Sequence, residues 1–542
     1  MTLTATLNPL FSRDYWTLPA LLELRARENA DKPFLQWTHD EAPIGFAEAN
    51  RQANRIAHGL MAHGIAKGDR IVFFMGNSLA HVFCWFACSK VGAVDAPINT
   101  AFTGDFLSHQ FNLCKARYAV VDEELVPEVA RVREKLAHLE VLFVVGDPAR
   151  ARDLLPGLVV RPFSDLQTGD ISDPHVAIAP SDPGSILYTS GTTGPSKGVL
   201  LPQGAQHFNA EQIAATHGLT EDDIFMSPFP LFHGSGRQNS IYPMLLVGGL
   251  CVLYPRFSGT RFVERAKRSK ATITMFHGAM VQILCALPPS EEERALRLRA
   301  AICIPMPTTL RDSFTQRFGI GALREVIGMT ETALPIIPPA GMKAPDGFAG
   351  CLIADWYDAR VADPETGEEL PDGMAGELLI RPREPSIMML CYENMPEETL
   401  KANRDFWFHT GDAVRRNAEG WYGFVDRVKD SIRRRGENIS SSEVEYQLLT
   451  HPAVSECAVI PVRMDEEMKD EEVKACIVCH SGMTIDPEEF IRWCENRLPL
   501  FAVPRFLEFV AELPKTPTGK TQKVKLRADP RNALTWDRLA AS

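Results

Sequence analysis

A chain of 542 residues is too long for one hydrophobic core and calls for two or more domains. Its 45% hydrophobic and 23% charged content is ordinary for a soluble globular protein. The net charge of −12, with Arg433-Arg434-Arg435 as the one dense basic cluster, excludes a nucleic-acid binder.

No apolar run is long enough to cross a bilayer, which excludes an integral membrane protein of the helical type. The opening stretch MTLTATLNPLFSRDYW lacks the basic start and long apolar segment of a signal peptide. The twelve cysteines are scattered, mostly in apolar contexts. Cys476 and Cys479 form a CxxC inside the strand-like VKACIVCH with no second pair, which reads as buried structural thiols rather than a metal or redox site. These features point to a reducing cytoplasm.

Between residues 46 and 121 amphipathic helical patterns alternate with short apolar strands. FAEANRQANRIAHGLMAHGI has apolar residues at helical spacing, DRIVFFMG reads as a buried strand and LAHVFCWFACSKVGA as the next helix. Such alternation implies βαβ units and a largely parallel sheet. At Tyr188 the run YTSGTTGPSKG follows the apolar Ser185-Ile186-Leu187. Its glycines let the backbone approach a ligand closely, and its hydroxyls, amides and Lys197 suit a polyphosphate. It is not a Walker A loop, because Gly191, Gly194 and Lys197 are spaced differently and Gly198 stands where Ser or Thr should follow the lysine. From residue 204 to 326 the alternation returns, with LCVLY and ATITMF as strands. Between 351 and 380 short strands and turns, with Pro371-Asp372-Gly373 as a hairpin, predict a small antiparallel or barrel-like subdomain. Near Arg427 a strongly charged stretch opens a new pattern. EVEYQLLTHPAV reads as a helix, SECAVIPV and EEVKACIVC as strands, and DPEEFIRWCENRLP as a helix, enough for a separate α+β domain.

The run at 188–198 resembles the phosphate-loop signature of the adenylate-forming superfamily, which comprises acyl-CoA synthetases, luciferases and peptide-synthetase adenylation domains. The resemblance extends over nearly the whole chain. It implies an α/β fold: a body over residues 1–427 with mixed, largely parallel sheets and a barrel-like subdomain, and a mobile α+β lid over 428–542. Thr189, Ser190, Gly191, Thr192, Thr193, Gly194 and Lys197 would then hold the phosphates of ATP. Ile327-Gly328-Met329-Thr330-Glu331 resembles the family's Y-G-x-T-E motif, so that Thr330 would bond the α-phosphate and Glu331 would bind Mg²⁺. Ile327 stands where the family stacks a tyrosine on adenine. For this motif alone a helix-capping Thr-Glu pair remains an alternative. Thr410-Gly411-Asp412 resembles the TGD motif, whose aspartate accepts from the ribose hydroxyls, and Arg427 matches the arginine that contacts ribose or phosphate.

Lys429 falls on the family's hinge, and Lys520, in PKTPTGK, on its catalytic lysine, which acts between ATP and the carboxylate. Pro230-Leu231-Phe232-His233-Gly234 matches the aromatic motif, placing His233 beside the acyl pocket. Arg237 just beyond is either a surface residue or a partner for a polar acyl group, since a buried Arg demands one. Ile304-Pro305-Met306-Pro307 replaces the small-residue run that lines adenine and acyl group, with Pro305 in the pocket wall. The lid sequence is most similar to that of carnitine/crotonobetaine–CoA ligases.

The implied activity is that of an AMP-forming acid–CoA ligase: ATP, Mg²⁺ and a carboxylic acid give an acyl-adenylate, and coenzyme A then forms the thioester. No carrier domain follows the lid, so the acceptor is expected from solution, and the protein as a monomer or homodimer. Two alternatives stay open at this point: an enzyme that loads a separate carrier protein, and a silent nucleotide or acyl sensor. The presence of Glu331, Asp412, Arg427 and Lys520 weighs against the sensor.

Overall fold

The computed structural model describes residues 2–189, 196–306, 310–428, 430, 432–434, 437–464, 471–498, 500–515 and 521–540. The first sheet has eight strands, in the order Cys391–Tyr392, Lys197–Pro202, Pro183–Thr189, Val94–Pro97, Arg70–Phe74, Tyr118–Asp122, Val141–Val145 and Val159–Pro162. The last six run parallel, and the first two add antiparallel pairs at one edge. Arg70–Phe74 shows why an unbroken apolar run suits this place. Ile71 and Phe73 enter the main core while Val72 and Phe74 enter a second core on the opposite face, so both faces of the strand are covered. The helix Leu79–Val91 begins on Ser78, whose Oγ accepts from His81 N, and stops at Gly92 with φ +71°. Every residue from His81 to Val91 is buried, as expected of a helix that is apolar all round.

The second sheet has seven strands, in the order Leu323–Arg324, Ala300–Ile304, Ile273–His277, Ile224–Ser227, Leu250–Leu253, Pro33–Trp37 and Ile44–Gly45. All pairs except the last are parallel. The subdomain expected over 351–380 is larger than its sequence texture implies. Seven antiparallel strands from Ile327–Met329 to Trp421–Arg427 form a third sheet. One apolar core reaches all three sheets.

The C-terminal part has its own core. A four-stranded sheet is built on Val454–Arg463 and Glu471–Cys479, with Phe506–Phe509 and Trp536–Asp537 beyond them. The helices Ser441–Leu448 and Pro487–Glu495 belong to the same part, and the second is capped by Asp486 accepting from Glu489 N at 3.0 Å. The first helix is shorter than its apolar pattern suggests, because the chain turns at His451-Pro452 into the strand that opens at Val454. Cys476 and Cys479 lie on one strand as free thiols. Cys476 is fully buried, which pushes its thiol up to about 12. Among the described residues no group of three or more His, Cys, Asp and Glu could hold a metal ion, and no helix is long and apolar enough to cross a membrane.

Candidate active site

The glycine-rich run joins Pro183–Thr189 to Lys197–Pro202, two antiparallel strands in which Thr189 faces Lys197 and Tyr188 faces Gly198. The chain therefore returns as a strand and not as a helix, so no helix dipole stands behind this loop. Ser190, Gly191, Thr192, Thr193 and Gly194 lie outside the described residues. The base of the loop is anchored: Tyr188 OH donates to Gln110 O at 2.7 Å, and Gln110 Nε2 donates to Ser196 Oγ at 3.1 Å. Lys197 Nζ pairs with Glu398 and sits 4.6 Å from the centre of the Tyr392 ring.

Tyr392 OH in turn donates to Glu331 Oε1 at 2.9 Å. Glu331 is 4% exposed, and its Oε2 has no hydrogen-bond partner. Burial pushes this carboxyl above its ordinary value, against the opposing pull of the Tyr392 hydroxyl, Arg427 and Lys197. Thr330 and Glu331 occupy a turn between the antiparallel strands Ile327–Met329 and Ala333–Ile337, closed by Thr332 N on Met329 O at 3.1 Å. The helix-capping alternative for this motif therefore falls. Ile327 is buried on the strand before the turn.

Asp412 and Arg427 are cross-strand partners on Phe408–Arg416 and Trp421–Arg427. Arg427 Nη1 lies 2.8 Å from Asp412 Oδ1, an ion pair across the two strands. Burial raises the Asp412 carboxyl to about 6, with Arg427 opposing and the nearby Glu331 and Glu377 adding to the rise. The turn is held tightly. Gly411 has φ +70°, its N donates to Glu377 Oε1 at 3.0 Å, and His409 Nδ1 lies 2.9 Å from Glu377 Oε2. Thr410 Oγ1 accepts from Asp412 N at 3.1 Å and donates to Leu378 O at 2.7 Å. Lys197, Glu331, Asp412 and Arg427 are thus brought into one electrostatic neighbourhood from parts of the chain up to 230 residues apart. Tyr392, Glu377 and Glu398 belong to it as well, and no motif in the sequence marked them.

His233 sits in a tight turn, with its N on Pro230 O and Gly236 N on His233 O, both at 3.1 Å. A Cβ on Gly236 would come within 2.5 Å of Pro230 O, so only glycine fits there. His277 links this turn to the Pro305 wall: its Nε2 is 3.5 Å from Ser235 Oγ, and its Nδ1 is 3.4 Å from Ile304 O. Arg237 opens a π-helical turn, Arg237–Ile241, and is fully buried, which removes its surface alternative. Its Nη1 lies 2.5 Å from Asp95 Oδ2, its Nη2 lies 3.4 Å from Ser185 Oγ, and its guanidinium stands 4.2 Å from the centre of the Trp85 indole.

Lys429 and Lys520 lie outside the described residues. Asp430 pairs with Arg527. Asp426 accepts from Ser441 Oγ at 2.7 Å and Ser442 Oγ at 3.1 Å, joining the third sheet to the start of the helix Ser441–Leu448. Lys515 and Thr521 form an antiparallel bridge.

Comparison with known proteins gives the family. Residues 22–392 match the family model "AMP-binding enzyme", and residues 443–520 match "AMP-binding enzyme C-terminal domain". The chain is 30% identical over 491 residues to the crotonobetaine/carnitine–CoA ligase of Proteus mirabilis, covering 89% of this chain and 93% of that protein. The solved structure of the anthranilate CoA ligase AuaEII in complex with anthranoyl-AMP superposes with a TM-score of 0.82 at 27% identity, covering 98% and 99% of the two chains. ATP-bound MatB from Rhodopseudomonas palustris superposes with a TM-score of 0.79 at 27% identity over 95% and 98%. The two-part architecture, the converging carboxylates and these matches lead to one conclusion: the chain belongs to the AMP-binding enzyme family.

Proposed function

We infer that the protein is an AMP-forming acid–CoA ligase. One observation carries this reading: two buried carboxylates, Glu331 with its Oε2 without a hydrogen-bond partner and Asp412 ion-paired to Arg427, converge with Lys197 at the base of the glycine-rich hairpin. A buried carboxylate oxygen left open, as Oε2 of Glu331 is, is costly unless a ligand completes it.

In the first half-reaction a carboxylate oxygen of the acid attacks the α-phosphorus of ATP, and the bond to the β-phosphate oxygen breaks to release pyrophosphate. Thr189, Ser190, Gly191, Thr192, Thr193, Gly194 and Lys197 bind the phosphates. Thr330 bonds the α-phosphate, and Asp412, with Arg427 behind it, accepts from the ribose hydroxyls. The open, buried Oε2 of Glu331 fits a hard divalent cation such as Mg²⁺, which takes one or two carboxylates and draws its remaining ligands from water and phosphate. When bound, that ion would neutralise phosphate charge. Lys520 clamps the developing phosphoryl charge from the C-terminal domain, residues 428–542, and Lys429 is the pivot on which that domain turns. In the second half-reaction the CoA sulfur attacks the acyl carbon and displaces AMP, with His233 at the junction of acyl site and thiol. Pro305 and Ile327 shape the acyl and adenine walls.

The protein acts in the cytoplasm on small molecules, as a monomer or homodimer. Pyrophosphate release over a panel of aliphatic, aryl, steroid-like and betaine acids, with and without CoA, tests the reading. AMP formation with the right acid should rise strongly on adding CoA. Turnover that ignores CoA and responds to an added carrier protein would replace the ligase with a loading enzyme.

A further inference from the structure

The glycine-rich hairpin and the His233 turn stand on different sheets, so their alignment depends on what joins those sheets. The hairpin belongs to the first sheet, and the His233 turn follows the second-sheet strand Ile224–Ser227. Asn77 bridges the two. It lies between the carboxyl end of the first-sheet strand Arg70–Phe74 and Ser78, the cap of the helix Leu79–Val91. Loops at the carboxyl ends of parallel strands are where folds of this kind place their ligands. The Asn77 side chain reaches across to the second sheet. Its Nδ2 donates to Phe229 O at 2.8 Å and to Tyr254 O at 2.9 Å, and its Oδ1 accepts from Leu231 N at 2.8 Å. Both amide donors and the amide oxygen are thus used on main chain, a set that an ionised Asp or a Ser of similar size cannot supply.

The three backbone groups that it meets have left the sheet. The ladder between Ile224–Ser227 and Leu250–Leu253 ends at Ser227 and Leu253. Phe229 and Leu231, both buried, are held on either side of Pro230, whose O accepts from His233 N at 3.1 Å. Asn77 therefore reaches the backbone of His233 through Pro230. The Phe229 ring also meets His277 edge-on, with ring centres 5.2 Å apart, and His277 in turn lies against Ser235 and Ile304.

We propose that Asn77 is a positioning residue for thioester formation, which fixes the His233 turn against the first sheet so that the imidazole and the bound acyl-adenylate keep one alignment. The inference rests on the reading of His233 at the junction of acyl site and thiol. Asn77 acts through that histidine and not on the substrate. A small displacement caused by a change away from the chemistry can cost on the order of 10²-fold in rate.

The test is a double-mutant cycle in the full-length enzyme, with the panel acid that gives the fastest pyrophosphate release, its acyl-adenylate, ATP, Mg²⁺ and CoA. Asn77→Ala should slow thioester formation from supplied acyl-adenylate and CoA by roughly tenfold to a hundredfold, while KM for ATP stays within about twofold. His233→Ala should slow the same step, and adding Asn77→Ala to it should cost less than about a further twofold, because residues that act through one contact are not additive. Lost hydrogen bonds lower Tm whichever role Asn77 has, so the split between steps and the cycle decide. Losses that multiply, or that fall equally on ATP binding and both half-reactions, overturn the inference. So does a native rate of thioester formation in Asn77→Ala. If that variant does not fold, Asn77→Asp, which keeps the volume and the acceptor for Leu231 N, carries the same cycle. Failure of both to fold makes Asn77 structural and overturns the inference. A native rate in His233→Ala would remove the reading of His233 and the inference with it, leaving the ligase standing. Pyrophosphate release with no acid in the panel would sink the ligase reading itself.

Discussion

Replacing Asp412 by asparagine should make the free enzyme more stable and a poorer binder of ATP. Asp412 is 5% exposed, and burial raises its carboxyl from the ordinary 3.8 to about 6. That gap corresponds to about 3 kcal/mol of differential interaction. A carboxyl with a folded value above its unfolded one holds its proton more tightly in the folded state, so stability falls as pH rises from 3.8 through about 6. At pH 8 the whole penalty is present. At pH 4.5 the folded side chain is neutral and only about 1 kcal/mol remains. Asp412→Asn removes the charge while keeping the shape. For a cooperative unit of roughly 400 residues a gain of about 3 kcal/mol is a rise in Tm of about 3 °C. That rise should appear at pH 8 and shrink to about a third at pH 4.5 in a thermal-shift measurement. The same variant loses a charged acceptor for the ribose hydroxyls, which should raise KM for ATP by roughly tenfold to a hundredfold. An equal change in Tm at both pH values, or a loss at pH 8, would refute the reasoning.

Glu331→Gln should lower the rate of acyl-adenylate formation on the order of 10²–10³ while leaving Tm at pH 8 unchanged or higher, as measured by ATP–pyrophosphate exchange and thermal shift. Gly236→Ala should cut kcat with every acid and lower Tm, because its Cβ would meet Pro230 O at 2.5 Å and push the His233 turn aside; a variant with native kinetics would show that the turn yields freely. Lys520→Ala should cripple acyl-adenylate formation by about 10²–10³ yet still convert supplied acyl-adenylate and CoA to thioester. Lys429→Pro should do the reverse, and equal loss of both half-reactions in the Lys520 variant would make that lysine structural.

The fold was legible where burial on both faces made strands continuously apolar, as in Arg70–Phe74, Leu250–Leu253 and Ile273–His277. The antiparallel sheet was harder to read. Ala333–Ile337 carries Pro335 within a fully buried strand, and the Ile327–Met329 strand is only three residues long, so neither shows a clear period of two. The residue types of the site were visible as motifs, but their partners were not. Asp95 is 142 residues from Arg237 in sequence, and Tyr392 is 61 from Glu331, and nothing local in either stretch records the contact. Arg237 shows the consequence. Its polarity pointed to burial with a partner or to the surface, and only the arrangement of Asp95, Ser185 and Trp85 around it decides between them.

The same carboxylates that mark the site also cost the free protein stability, and this tension explains how substrate binding can organise it. Glu331 is among the groups that raise Asp412; both are buried, and Glu331 keeps an oxygen without a partner. A ligand that supplies positive charge to one and hydroxyl donors to the other relieves desolvation and repulsion together, so its binding energy includes the relief of strain already present in the fold. Stabilisation by ligand follows RT ln(1 + [L]/Kd), and the part of Kd that comes from this relief disappears when either carboxylate is neutral. ATP with Mg²⁺ should therefore raise Tm more in the wild type than in Asp412→Asn at pH 8. The difference should narrow as pH falls through about 6, where Asp412 itself takes up a proton. A ligand-induced rise that is the same in both proteins across that range would mean that the two carboxylates are held apart from the nucleotide, whatever their exposure.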